Sequence, residues 1–382
     1  MRAFGCVRAS NMGSEIHDAR YPVPGRRQIS CPGCAAMKIA LTSDPDLPVP
    51  PVLYGGIERV VDMVARRLMA RGHEVMLFAH PQSTCPVPKQ AWPGASSRSR
   101  LDTVKNAGKL AAVTSQHRFD IVHSFSRLAY LTPILPRAIP KLMSYQRAIS
   151  PRTTMLAHRL SRGTLEFSAI SRHMLRDVEG IGTWHVVPNG VPLEAYDLHA
   201  SVAADAPLVF LGRLEAIKGP HLAIEAARKA GRRLILAGNV PEAHRNWFAS
   251  WVAPHLDKHG VSYIGPVNDL QKKELLGRAS ALLMPILWEE PFGIVMAEAM
   301  ACGTPVIGFG RGAVCEVVET GKTGFVVDNL AEMVAAIANL DALDRRACRA
   351  RVEALYSDAA VTDGYLRIYE KMVARDDLAL GP

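Results

Sequence analysis

From Met37 onward, apolar residues recur along the chain in two alternating rhythms, short runs of four to six and longer stretches with helical spacing. The run Met37-Lys-Ile-Ala-Leu-Thr42 predicts a first strand. A Pro-rich loop from Asp44 to Tyr54 and the pair Gly55-Gly56 come next. Ile57, Val60, Val61, Val64, Ala65 and Leu68 then fall on one helical face, with Arg59, Asp62, Arg66 and Arg67 elsewhere. Gly72 is placed to end that helix in a left-handed turn, and Glu74–Ala79 reads as the next strand. Strand, glycine loop, helix and strand together begin a parallel sheet. Asp120–His123, Phe167–Ser171 and His185–Gly190 complete this half.

Between Leu193 and Pro207 the chain turns Ala- and Asp-rich and loses its pattern, which marks a domain boundary. The alternation then resumes. Strands are predicted at Leu208–Gly212, Arg233–Gly238, Val261–Gly265, Ala281–Pro285, Pro305–Gly308 and Gly324–Val327. Helices are predicted at Pro220–Ala230, Glu242–His255, Leu270–Ala279 and Ile294–Cys302. The expected fold is α/β, with two doubly wound, Rossmann-like domains, 37–195 and 196–358, facing each other across a cleft. A last helix within 359–382 is free to cross back to the first domain. Residues 1–36 carry Arg, Gly, Pro and Ser without apolar periodicity and are expected to be a disordered extension. Cys31 and Cys34 lie there with no second pair and read as incidental.

Composition narrows the class. A chain of 382 residues with 48% hydrophobic and 21% charged residues can bury two cores and is not wholly disordered. No apolar run is long enough to span a bilayer, and Met1–Arg27 lacks the apolar segment of a secretory signal. Seven scattered cysteines favour a reducing, cytoplasmic setting over a disulfide framework. The formal charge of +9 suits an anionic partner. With 6% aromatics and no basic cluster interleaved with them, nucleic acid is disfavoured. Arg66, Arg67 and Arg71 leave two readings open, a solvated helix face or a peripheral contact with the inner face of an anionic membrane.

Two constellations carry chemistry. In Glu290-Pro-Phe-Gly-Ile-Val-Met-Ala-Glu298 one carboxylate precedes a helix and the other lies about a turn inside it. Phe292, Gly293 and Ile294 open that helix, so their amides are available to an anion or to sugar oxygens. An ionised carboxylate accepts hydrogen bonds from a diol. In Leu211-Gly-Arg-Leu-Glu-Ala-Ile-Lys-Gly219, Arg213 and Lys218 follow a strand, where open α/β sheets bind ligands. A guanidinium and an ammonium together suit a diphosphate.

These segments, with Tyr54-Gly-Gly-Ile-Glu58, Arg71-Gly-His-Glu-Val75, Asp120-Ile-Val-His123, Val187-Pro-Asn-Gly-Val191, Tyr263-Ile-Gly-Pro-Val267, Ala299–Val306 and Glu316–Phe325, resemble the family-4 glycosyltransferases of GT-B architecture. The resemblance covers roughly residues 37 to 375. It implies a retaining transfer of a sugar from a nucleoside diphosphate sugar to a glycan, lipid or small-molecule acceptor, without a metal ion or other cofactor. It further implies that Arg213 and Lys218 hold the diphosphate and Glu290 the transferred sugar, with the Phe292, Gly293, Ile294 and Val295 backbone beside them. Glu298 would bind the ribose, and Val267, Asp269 and Lys272 would frame the base. Gly55 and Gly56 would approach from across the cleft, and His123 would stand near sugar and acceptor. Two departures fall in the first half. Lys141–Arg147 lacks the family's Thr-x-His-Gly flavour, and Ser124-Phe125-Ser126 replaces a second histidine after His123.

Other classes fit less well. No Gly-x-Gly-x-x-Gly follows the first strand, as a dinucleotide-dependent dehydrogenase needs, and no Walker lysine motif occurs. Asp44-Pro-Asp46 has no supporting acidic cluster, and the histidines lack metal-ligand spacing. A phosphorylase or epimerase on a similar scaffold would use a different site. A sugar-nucleotide-binding protein without turnover shares the fold and stays open as the alternative.

Overall fold

A computed structural model describes residues 35–52, 55–257 and 260–380, with the backbone alone for 376–380. The expected extension and its Cys31–Cys34 pair lie, but for Ala35 and Ala36, outside the described residues. The first half is built from β1 (Lys38–Thr42), α1 (Gly56–Ala70), β2 (Glu74–Ala79), β3 (Lys89–Ala91), α2 (Arg100–Gln116), β4 (Ile121–Ser124), β5 (Lys141–Tyr145), α3 (Pro151–Leu160), β6 (Leu165–Ala169) and β7 (Trp184–Val186). Its seven strands lie in the order β3-β2-β1-β4-β5-β6-β7, every neighbouring pair parallel. The order reverses between β1 and β4, where Ile39 pairs with Ile121, and a crevice opens at the carboxyl ends of these two strands.

The second half repeats the plan. It runs β8 (Leu208–Leu211), α4 (Pro220–Lys229), β9 (Leu234–Ala237), α5 (Arg245–Trp251), β10 (Val261–Tyr263), α6 (Asp269–Gly277), β11 (Ala281–Met284), α7 (Ile294–Ala301), β12 (Val306–Phe309), α8 (Val314–Val317), β13 (Gly324–Val327), α9 (Leu330–Ala338) and α10 (Arg345–Leu355). Six parallel strands follow the order β10-β9-β8-β11-β12-β13, with the reversal between β8 and β11. The chain is therefore two Rossmann-like α/β domains with their switch points at strand carboxyl ends.

The final helix, α11 (Asp358–Leu380), leaves the second domain and lies on the first. Val361, Tyr365, Leu366, Ile368, Tyr369 and Met372 are buried in the same apolar core as Ile39, Leu41, Val60, Val64 and Leu68. Arg67 of α1 and Arg71, its C-cap, pair with Asp358 and Asp363 of α11, while Arg66 pairs with Asp62 at 2.8 Å. The arginines read above as a membrane contact or a solvated face are thus each set against a carboxylate, two of them holding α11 in place. Among the described residues no helix is long and apolar enough to cross a membrane.

Several elements of the first domain carry too little pattern to be read. The inner side of α2 buries only Asn106, Ala107, Leu110 and Val113, while Leu101 and Val104 face outward. Its apolar residues therefore describe no single stripe. The stretch expected as one helix over Glu242–His255 is two single turns flanking the short α5.

Candidate functional site

The second sheet aims its chemistry at its own switch point. After β8 the chain passes Arg213 and a single turn, Ala216–Lys218, before α4 starts at Pro220. Between them Gly219 has φ 74, and a Cβ there would stand 2.0 Å from the Pro285 carbonyl oxygen. Only glycine allows the β8 loop to rest directly on the end of β11. That contact sets Lys218 beside Glu290, with Nζ to Oε2 at 2.6 Å. Gly312 performs the matching role behind the carboxylate, because a Cβ there would meet the Glu290 backbone at 2.2 Å. The Ala313 amide donates to the Glu290 carbonyl at 2.8 Å and fixes that residue's backbone.

Trp288 completes the cluster. Its Nε1 donates to Glu290 Oε2 at 3.0 Å, and Lys218 Nζ lies over its ring, 4.6 Å from the centroid. Arg213 sits at the edge with its guanidinium 2.8 Å from the buried Glu215 carboxylate. The next element is α7, whose N-cap is Gly293 without any side-chain cap. The Met296 amide bonds the Gly293 carbonyl at 2.9 Å, and the Ile294 and Val295 amides ahead of it have no partner within the helix. Gly293 itself stands against Glu290, a Cβ there falling 3.3 Å from the Glu290 Cγ. Phe292 is buried against Tyr356, so it offers the cleft its backbone rather than its ring.

One turn into α7, Glu298 accepts from the Tyr196 hydroxyl at 3.0 Å and from Lys272 Nζ. Burial by itself would lower the Lys272 pKa, but the Glu298 and Asp269 carboxylates outweigh it and hold the ammonium above its usual value. Burial pushes the Tyr196 hydroxyl well up, and the Glu298 carboxylate adds to the effect. Asp269 opens α6, whose N-cap Asn268 accepts from the Gln271 amide in a capping box. Burial would raise the Asp269 pKa, yet Lys272 and Arg59 prevail and lower it. Arg59 belongs to the first turn of α1 in the other domain, and its 2.8 Å pair with Asp269 spans the cleft. Val267 is half-buried just ahead of α6.

The first domain contributes Gly55, the N-cap of α1, and Gly56, above which a Cβ would meet nothing within 4 Å. His123 departs from the expectation for it. It is wholly buried, with Nδ1 on the Tyr369 hydroxyl and Nε2 on Ser144 Oγ at 2.6 Å. Burial drives its pKa well down, so it sits as a neutral ring. The cause is α11, whose Tyr365 and Tyr369 cover the face of β4 from which His123 projects. The structure thus brings together Lys218 and Glu290, and Glu298 with Lys272 and Asp269, but does not bring His123 to the cleft. Tyr196 and Arg59 escape sequence reasoning because their partners, Glu298 and Asp269, are distant in the chain. Trp288 and Glu215 escape it although Glu290 and Arg213 lie two residues away. Trp288, two residues before Glu290, carried the one available signal, a large aromatic in a strand-end loop.

Two family models match the chain, Glycosyltransferase Family 4 over residues 54–195 and Glycosyl transferases group 1 over 200–352. The chain belongs to the family-4 glycosyltransferases. Glycogen synthase of Mycobacterium tuberculosis is 25% identical over 374 residues, covering 81% of this chain and 88% of that protein. Spore coat protein SA of Bacillus subtilis is 23% identical over 397 residues, covering 88% of this chain and all of that one. Among solved structures, AviGT4, a glycosyltransferase involved in avilamycin A biosynthesis, is 25% identical and superimposes with a TM-score of 0.70 over 88% of this chain and 98% of its own. Sugar transfer on a GT-B scaffold is the activity these relations support.

Proposed function

We propose that this glycosyltransferase takes its sugar from a nucleoside diphosphate sugar and transfers it with retention of anomeric configuration, using no metal ion. The observation that carries this reading is the Lys218–Glu290 pair, held at the second sheet's switch point beside the uncapped start of α7. A diphosphate arriving there meets Lys218, Arg213 and the α7 amides, so its charge is balanced by fixed donors. Glu298, backed by Lys272 and Tyr196, is placed to accept from a ribose diol.

As the bond between the anomeric carbon and the diphosphate oxygen breaks, its electron pair passes to the leaving oxygen. Lys218 and Arg213 stabilise that oxygen. The acceptor oxygen attacks from the same face and gives its proton to the departing diphosphate, so atoms and charges balance without a protein nucleophile. Glu290 orients the sugar and, before the donor arrives, holds Lys218 in position. His123, with both ring nitrogens engaged, supports the β4–α11 packing instead of meeting the acceptor.

The test is binding and slow hydrolysis of uridine, guanosine and adenosine diphosphate sugars by wild type and Glu290→Ala. Selective binding, with hydrolysis lost in the variant, supports the reading. A folded wild type that binds none of them refutes it.

A further inference from the structure

An open cavity of about 620 Å3 lies at the carboxyl ends of β4 and β5 in the first domain, and neither Lys218 nor Glu290 lines it. That volume is in the range of small-molecule sites. Its floor is apolar, with Phe125, Leu135 and Met143, and its rim is cationic, with Arg98, Arg127 and Arg147. The charge imbalance is written into the chain, since between Asp120 and Glu166 there are Lys and Arg residues but not one acidic residue. The one carboxylate on the wall, Asp44, is buried and already engaged, 3.2 Å from both the Arg147 guanidinium and the Arg127 amide.

Two further features point to an occupant. Both amide atoms of Gln146 are shielded from solvent and have no hydrogen-bond partner. A shielded, unpartnered amide is costly and is relieved by a ligand's polar group. The outer lip is formed by α3, which exposes Leu156 at 58% and Leu160 at 45% beside Arg152 and Arg159. The N-cap of α3, Ser150, lines the cavity and makes no side-chain cap.

We infer that this cavity is the acceptor site and that it takes an anionic alcohol with an apolar portion. The phosphate or carboxylate meets Arg147 and its neighbours, a hydroxyl meets Gln146, and the apolar part runs out along Leu156 and Leu160. This rests on the transferase reading above and deepens it by naming the acceptor's chemistry.

The test is calorimetric titration of the full chain with octyl phosphate, octyl β-glucoside and inorganic phosphate. Each titration is run with and without a nucleoside diphosphate, which keeps phosphate out of the donor site. Octyl phosphate is expected to bind about tenfold or more tightly than either probe. Arg147→Gln should weaken it about ten- to a hundredfold, as for one lost hydrogen bond to a charged group. The surface change Leu156→Ser should weaken it about threefold. Equal affinity for the two octyl compounds, or an unchanged Arg147→Gln, overturns the anionic assignment. Inorganic phosphate binding as well as octyl phosphate overturns the apolar one. A chain that binds no nucleoside diphosphate fails at the donor reading instead, so the two failures are distinguishable.

Discussion

Replacing Lys218 with alanine separates two roles that its contacts assign to it. In the resting site the ammonium is paired with Glu290 at 2.6 Å, and the side chains are 18% and 10% exposed. Removing one partner of a fully buried pair costs about 3–5 kcal/mol. Here the site opens on a cleft and Trp288 Nε1 still donates to Glu290, so the loss in stability should stay near 1–2 kcal/mol. During transfer the same ammonium faces charge that grows on the leaving diphosphate. Losing one preorganised donor of that kind lowers turnover about 100- to 1000-fold. Lys218→Ala is therefore expected to unfold only slightly earlier than wild type while kcat falls by two to three orders of magnitude (~100- to 1000-fold). KM should rise much less, because the interaction is strongest in the transition state. Initial rates of nucleoside diphosphate release, alongside thermal unfolding of both proteins, read the two effects separately. A kcat within about tenfold of wild type would remove Lys218 from leaving-group stabilisation. A collapse of stability would make the pair chiefly structural.

Other consequences can be checked in parallel. Glu298→Gln should weaken nucleoside diphosphate binding about tenfold or more by calorimetry, and equal affinity would detach Glu298 from the ribose. Because His123 is neutral in the fold but has an ordinary pKa of 6.5 once unfolded, stability is retained above pH 6.5 and lost as pH falls below it. The loss amounts to at most about 1.4 kcal/mol per pH unit until the folded-state pKa is reached. Burial also lowers the His73 and His221 pKa values in both proteins, so urea unfolding between pH 5 and pH 8 should show a steeper slope in wild type than in His123→Asn, and parallel curves would contradict it. Gly219→Ala combines a left-handed φ of 74 with contact at 2.0 Å from the Pro285 carbonyl. It should cost more than about 2 kcal/mol by denaturant titration and cut activity further than stability, whereas a neutral result would contradict the close approach.

The second domain was the more legible because its elements are regular and its site is local in sequence. Glu290 and Glu298 lie within one strand-loop-helix unit, and Arg213 and Lys218 within another, so spacing alone relates each pair to a strand end. The register that joins the two units, Ala281 beside Leu208, is a long-range fact that no local pattern carries. In the first domain α2 and α3 turn leucines and arginines outward together, which erases the two-faced pattern a reader depends on. His123 shows the same limit from another side. Its position at the end of β4 was readable, but the tyrosines that enclose it come from a helix more than two hundred residues later.

The course of α11 bears on how this protein is made. The first domain's sheet is finished with Val186, yet the apolar face that α11 covers must wait for Tyr365 and Tyr369 to be synthesised. At a translation rate of 5–20 residues per second, that face stays open for roughly 10–35 s after its own strands have left the ribosome. A nascent chain in that interval carries a nearly complete sheet with one greasy side and a histidine lacking its cover. The helix that closes this first domain is made only after every strand of the second.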